Sequence, residues 1–290
     1  MPSHFDLQSH SVHSDGSLAP AEVVARAASE GISLLSLTDH DTVDGVDEAL
    51  EAGRARGVRV ARGVELTAVR AADADVHVLG YELDHRDRGL ADFLAAARAD
   101  RELRMERMAD RVEELGLELD RGEMRARRAA GRPVGRPHLA AAVLAERRNR
   151  DRLRAEGADT TDGFFGVYLV EGGRAWVPRT QPAVAGAIAA IHAAGGVAVW
   201  AHPWHDVAGA AEVLGEVERF RGLGLDGVEC FYVEHSREQT HALCDHCEAV
   251  GLLRTGSADF HGPDHPRYSR FGAFSLYGRQ PELGPIGASG

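Results

Sequence analysis

Histidines and carboxylates recur along this chain at places where an apolar run ends. Asp6, His10 and Asp15 follow the first run, Asp39, His40 and Asp41 the second, and Glu65 the third. His77 lies inside the fourth, His202 comes directly after Val-Ala-Val-Trp-Ala, and Asp259 and His261 follow Leu-Leu-Arg-Thr-Gly-Ser. Imidazole and carboxylate together suit zinc, manganese or iron, and a first-row ion takes roughly four to six donors. With Glu65 as a bridge, the set His10, Asp15, His40, Glu65, His77, His202, Asp259 and His261 has donors for two or three divalent ions, whereas a single ion would leave several idle. Closely spaced ions lower the pKa of a shared water and clamp the attacking and leaving oxygens of an in-line phosphoryl displacement. The residue types therefore point to metal-dependent hydrolysis of a phosphate ester.

Such scattered residues meet only if the elements between them return each strand end to one place. Short β-rich runs over 4–8, 33–38, 58–61 and 76–81 alternate with helical patterns over 20–30 and 43–56, with Pro20 in a first helical turn and Gly31 and Gly57 as stops. After residue 178 the alternation resumes: helices over 183–194, 208–221 and 237–250, strands over 197–200, 227–231 and 252–256. This βαβα order predicts an α/β fold with a parallel sheet or barrel and function at the carboxyl ends of its strands. Between the two halves the pattern changes. Phe93, Leu94, Met105, Met108, Val112 and Leu115 predict a long amphipathic helix over 90–119, followed by shorter helices to about residue 155. The expected organisation is a barrel from 1–88 and 178–283, an inserted helical subdomain over 89–177, and a flexible tail at 284–290.

At 290 residues and 44% hydrophobic composition, the chain is long enough for a large core. No window approaches eighteen apolar residues and the N-terminus carries no signal-peptide pattern, so a cytoplasmic protein without a membrane partner is expected. The net charge of −12 argues against binding long duplex nucleic acid. That charge is uneven: residues 121–154 hold eleven arginines against Glu123, Glu146 and Asp151, a local excess of +8 that leaves −20 elsewhere. This segment reads either as a surface facing an anionic substrate or as a solvated helical face, in a chain without lysine. Cys230, Cys244 and Cys247 are too few for a disulfide framework and lack a second pair for a zinc site; they read as small residues on or near a helix.

At its metal-type residues the chain resembles the PHP (polymerase and histidinol phosphatase) superfamily. The matching motifs are Asp6-Leu-Gln-Ser-His10-Ser-Val-His-Ser-Asp15-Gly16, Leu37-Thr-Asp39-His40-Asp41, Gly63-Val-Glu65, His77, Ala201-His202-Pro203 and Ser257-Ala-Asp259-Phe-His261, in family order over most of the chain. The resemblance implies a distorted (β/α)7 barrel, a trinuclear centre and phosphoesterase activity. Members acting on small nucleotides carry a helical insertion at this point, and Arg136-Pro137-His138-Leu139-Ala140 is similar to their motif, in which the Arg and His reach the substrate phosphate. Gly227-Val-Glu229 followed by His235-Ser236 also looks like that branch, which includes phosphatases of nucleoside 3',5'-bisphosphates and enzymes that trim RNA ends. By that resemblance Asp15, Arg136 and His138 are the catalytic candidates, Arg136, His138 and His235 the substrate-binding ones, and the insertion a substrate lid. His235 alone also reads as a solvated residue on a surface loop.

One position departs from the family pattern. Where the first motif of the family has His-x-His, this chain has Gln8 ahead of His10, so Gln8 is expected as a weak or absent ligand, with His13 in the same loop as the alternative donor. Asp39 is read either as holding His40 or as capping the helix that begins near Val43. Two rival readings remain at this point: a histidinol-phosphate phosphatase with the same metal set, and a binding or scaffold protein with a degenerate site.

Overall fold

The computed structural model describes residues 4–71, 74–129, 134–178, 182–207 and 209–288. Its first half runs β1 (Phe5–Asp6), α1 (Pro20–Ser29), β2 (Leu34–Leu37), α2 (Val46–Arg56), β3 (Arg59–Ala71), β4 (Ala74–Tyr81) and α3 (Arg88–Glu114). Short helices follow: α4 (Gly122–Ala129), α5 (Arg136–Ala145), α6 (Arg150–Ala155) and α7 (Thr161–Phe164). The second half adds α8 (Val184–Ala193), β5 (Val197–Trp200), α9 (Pro203–Asp206), α10 (Ala210–Arg221), β6 (Gly227–Tyr232), α11 (Arg237–Val250) and β7 (Leu253–Ser257). Two compact units result: one holds the described residues up to Arg70, Asp75–Ala95 and those from Pro182 onward, the other Ala71–Ala74 and Ala96–Gln181.

Local chemistry sets these elements. Helix α1 starts on Pro20, whose fixed φ suits a first turn, and buries Pro20, Val23, Val24 and Ala27 along one face. Ser236 caps α11: its Oγ accepts from the Gln239 N–H at 3.2 Å while the Gln239 side chain accepts from the Ser236 N–H at 2.7 Å. In the first unit the seven strands pair in sequence order. β1, β2 and β3 run parallel (Phe5 opposite Leu34, Leu35 opposite Val60), as do β5, β6 and β7. A parallel bridge between Ser9 and Phe260, with the Leu7 N–H on the Gly256 carbonyl at 3.2 Å, brings the last strand back against the first and nearly closes a barrel. Its largest buried side chains include Trp200, Tyr81, Phe220 and Phe231.

The helical unit has a core of its own. Met105, Met108, Ala109 and Val112 recur at three- and four-residue intervals on α3 and bury against Met124, Leu139, Val143 and Leu153. The helix ends at Gly116, whose φ of 78° lets the Leu117 N–H return to the Val112 carbonyl. Arg121 ties the next segment to the acidic face of α3 through Glu106, Asp110 and Glu113.

Several expectations need correction. β4 runs antiparallel to β5, with Val78 opposite Trp200, so the sheet is not wholly parallel. β3 spans 13 residues, and Glu65 therefore lies inside a strand instead of after one. β1 is reduced to two residues, because the chain beyond Asp6 is committed to loop hydrogen bonds around His10. The tail expected at 284–290 is ordered up to Ala288: Gly284–Gly287 form a 3₁₀ turn, Ile286 is fully buried, and its carbonyl accepts from the Arg59 guanidinium at 2.5 Å. Residues 289–290, Arg132 of the arginine run and Ala208 at the expected helix start lie outside the described residues. Of the cysteines, Cys230 lies on β6 and Cys244 and Cys247 on α11, all buried and none disulfide-bonded.

Candidate metal centre

Backbone pairing at the strand ends gathers the expected residues. The His10 N–H donates to the Phe260 carbonyl at 2.8 Å, which sets His10 beside Asp259 and His261. His40 bridges to Glu65, and the Asp41 N–H donates to the Glu65 carbonyl at 2.8 Å. The antiparallel ladder of β4 and β5 continues as the Ala201 N–H on the His77 carbonyl at 3.0 Å, so a histidine inside a strand arrives next to His202. Asp41, His202 and Asp259 have φ of 54°, 29° and 55°, in the left-handed region where a non-glycine residue costs of order 1–2 kcal/mol. Such strain at three strand ends of one mouth marks a site that the surrounding fold enforces. Gly16 closes the first loop, where a β-carbon would lie 2.2 Å from the His10 carbonyl oxygen.

Glu65 is the hub. One oxygen, Oε1, lies 2.6 Å from His77 Nδ1 and 3.3 Å from His202 Nε2; the other, Oε2, lies 3.1 Å from His10 Nε2 and 3.5 Å from His40 Nδ1. Asp259 Oδ1 is 3.1 Å from His10 Nε2, and Asp15 lies 3.5–3.6 Å from His10, His40 and His261. Ligand atoms of three overlapping groups, His10/Asp15/His40/His261, His40/Glu65/His77 and His10/Glu65/Asp259, each converge within 4.8 Å. His202 joins them through Glu65 and through His77, whose Nδ1 is 3.3 Å from its Nε2.

The electrostatics follow from crowding of charged and titratable groups at one mouth. Burial pushes the Glu65 carboxyl upward, yet the imidazoles around it win and hold it, and the more exposed Asp15 beside them, well below the usual carboxylate range. Burial drives His40 down to about 4, whereas for His10 burial is outweighed by Asp259 and Glu65, which hold it well above the ordinary imidazole value. His10 Nε2, His40 Nδ1 and Asp259 Oδ1 are buried without a hydrogen-bond partner among the described residues, although His10 Nε2 has two carboxylate oxygens at 3.1 Å. Unpaired imidazole and carboxylate atoms at the middle of such a donor set are what a divalent cation would satisfy, and the residues present fit transition-metal ions.

The supporting residues differ from those expected. Asp39 neither holds His40 nor caps α2, which begins at Val46 on Gly45 without a side-chain cap. Its carboxylate accepts from the Ser11 N–H (2.7 Å), the Ser11 hydroxyl (2.6 Å) and the Ser14 hydroxyl (2.6 Å), and so clamps the loop carrying His10 and Asp15. Tyr232 donates to Asp259 Oδ2 at 3.0 Å, leaving Oδ1 facing His10. Sequence reading missed Ser11, Ser14 and Tyr232; hydroxyls adjoining ligand motifs were the available signal. The ring of His13 packs beside Gly45 at the start of α2, and among the described residues it belongs to none of the converging ligand groups. His235 is not a solvated loop residue: it is 4% exposed, contacts the Cys230 carbonyl through Nδ1 at 3.2 Å, and burial lowers it to about 4. The Tyr277 hydroxyl donates to the His235 backbone carbonyl at 3.3 Å.

In the helical unit, Arg136 and His138 occupy the first turn of α5. The Arg136 guanidinium lies 5.9 Å from the Phe165 ring and 3.4 Å from the Leu169 carbonyl. His138 Nδ1 accepts from the Gly135 N–H at 3.1 Å, so a neutral ring carries its proton on Nε2.

An α/β barrel whose strand ends gather imidazoles around a bridging carboxylate is the framework of a metal-dependent phosphoesterase. Comparison with known proteins agrees. The PHP domain model matches residues 6–96. A 5'-3' exoribonuclease of Haemophilus influenzae is 31% identical over 264 residues, covering 91% of this chain and 92% of that protein. A 3',5'-nucleoside bisphosphate phosphatase of Chromobacterium violaceum is 31% identical over 269 residues, covering 90% and 88%. Among solved structures, an amidohydrolase from C. violaceum with bound sulfate superposes with a TM-score of 0.78 at 29% identity, covering 98% of this chain and 93% of that one. The chain belongs to the PHP-domain family, and it is a metal-dependent phosphoesterase. Among the described residues no helix is long and apolar enough to cross a membrane.

Proposed function

We propose that this phosphoesterase hydrolyses a phosphate ester of a small nucleotide, a nucleoside monophosphate or 3',5'-bisphosphate, or acts at the 5' end of short RNA. The observation that carries the reading is the convergence of five imidazoles and three carboxylates on one mouth, with Glu65 shared between them. Two or three manganese, zinc or iron ions held by His10, Asp15, His40, Glu65, His77, His202, Asp259 and His261 would supply Lewis acidity and an activated water. Asp15, with a side chain 41% exposed, is the member of the set most open to a substrate. Arg136 grips phosphate oxygens through charge-assisted bonds, and His138, with its proton on Nε2, donates a further one. His235 Nε2, buried and without a partner among the described residues, is assigned to the substrate as well. The insertion over 89–177 serves as the lid. The two named relatives, one acting on a nucleoside bisphosphate and one on RNA, support the nucleotide class.

The test is a screen of the manganese-loaded protein against nucleoside monophosphates, 3',5'-bisphosphates, short 5'-phosphorylated RNA and histidinol phosphate. Turnover of a nucleotide or RNA end well above that of histidinol phosphate is expected. Preference for histidinol phosphate would overturn the reading.

A further inference from the structure

We infer that Gln8 is a positioning residue for the bridging carboxylate of Glu65 and not a metal ligand, held in that role by a relay through Ser257 and Glu229. The amide is fully buried, and its two ends face different neighbours. Nε2, which has no lone pair for a cation, donates to Glu65 Oε2 at 3.0 Å, the same oxygen that faces His10 and His40. Oε1, the only atom of the side chain able to ligate, is turned to the Ser257 hydroxyl at 3.3 Å. The opposite orientation would set the amide oxygen against a carboxylate oxygen at that 3.0 Å spacing.

Ser257 is held in turn. Its Oγ is 2.5 Å from Glu229 Oε1, and Glu229 Oε2 accepts the His202 N–H at 2.9 Å, so a buried acid on β6 links the strained turn at His202 to the amide at Gln8. A serine hydroxyl has one proton, so Gln8 and Glu229 compete for it whenever Glu229 is ionised. A glutamine at 229 would end that competition: its oxygen still accepts the His202 N–H, its NH2 donates to Ser257 Oγ, and the serine proton is left for Gln8. The relay thus replaces a donor imidazole by a neutral buttress that keeps Glu65 aimed between its histidines.

The inference rests on the metal-centre reading, and the test separates the two. Metal per chain is measured by elemental analysis of metal-loaded protein dialysed against graded EDTA, and the melting temperature is measured on the same protein after stripping. Gln8→Met, which keeps side-chain length without a donor, and Ser257→Ala are each expected to lower the EDTA concentration for half metal loss by about fivefold, the effect of one lost hydrogen bond. The double variant should lose no more than either alone, Ser257→Thr should restore retention, and Glu229→Gln should retain metal at the wild-type level or better. Stripped Gln8→Met should also melt below stripped wild type, because Glu65 has lost a donor that acts without metal. An unchanged melting temperature with metal loss would make Gln8 a ligand through Oε1, and additive losses in the double variant would remove Ser257 from its support. His202→Ala is the control: if it keeps its metal, the metal-centre reading fails, whatever the relay variants do.

Discussion

Glu65 shows how little a residue type says about its task until its neighbours are known. Its two oxygens divide the histidines between them, His77 and His202 on one side, His10 and His40 on the other. Removing a ligand should weaken the centre: His202→Ala or Asp259→Asn lowers metal content and activity together, and full activity after exhaustive chelation would refute the metal requirement. Gln8 behaves differently because it places no ligating atom toward Glu65. Gln8→Ala should therefore cost clearly less metal and activity than His10→Ala, and Gln8→His should raise occupancy of the weakest ion, by metal analysis of the variants purified side by side. Equal collapse of Gln8→Ala and His10→Ala would make the glutamine as essential as an imidazole. The candidate ligands were legible in the sequence because imidazoles and carboxylates recur at one strand end after another, and the structure brings those candidates together. The task of Asp39 was not: a carboxylate next to a ligand histidine and ahead of a helix suggested two roles, and the position of Ser11 and Ser14 gives it a third.

At the scale of elements, the direction of β4 matters most. Periodicity finds a strand over those residues in either direction, and the antiparallel pairing with β5 is what sets His77 beside His202. The first turn of α5 carries the phosphate recognition we propose. Arg136→Ala should lower kcat/KM by about 30- to 150-fold, on the order of 2 to 3 kcal/mol of transition-state stabilisation, with metal content unchanged. A wild-type rate on the best substrate would reduce Arg136 to part of a basic surface. Helix boundaries were readable where capping chemistry is local, as with Ser236 and Gln239 on α11. The extent of β3 was not: β2 pairs only with residues 59–62, and the remainder of its 13 residues extends beyond that ladder, with β4 as its other neighbour in the sheet.

For the whole molecule, burial of titratable groups couples stability to pH. His235 titrates near 6.5 when unfolded and at about 4 when folded, because burial disfavours its charged form. Between those values the unfolded chain binds more protons, so the contribution of neutral His235 is complete above about pH 6.5 and is lost as pH falls toward 4, by up to about 3 kcal/mol. Urea midpoints of the metal-stripped protein at pH 7 and pH 5 should therefore fall more in wild type than in His235→Asn; equal falls would show that His235 does not titrate as a buried group. The sequence alone determined the α/β class and the family resemblance and supplied the candidate ligands, because hydrophobic periodicity and ligand chemistry are written locally. The tertiary structure decided the sense of β4, the ordering of the chain end around Ile286, the burial of His235 and the partners of Asp39, Ser257 and Gln8. These depend on contacts between residues as far apart as Gln8 and Ser257, whose meeting is set by barrel closure at Ser9 and Phe260 and leaves no local trace in the chain.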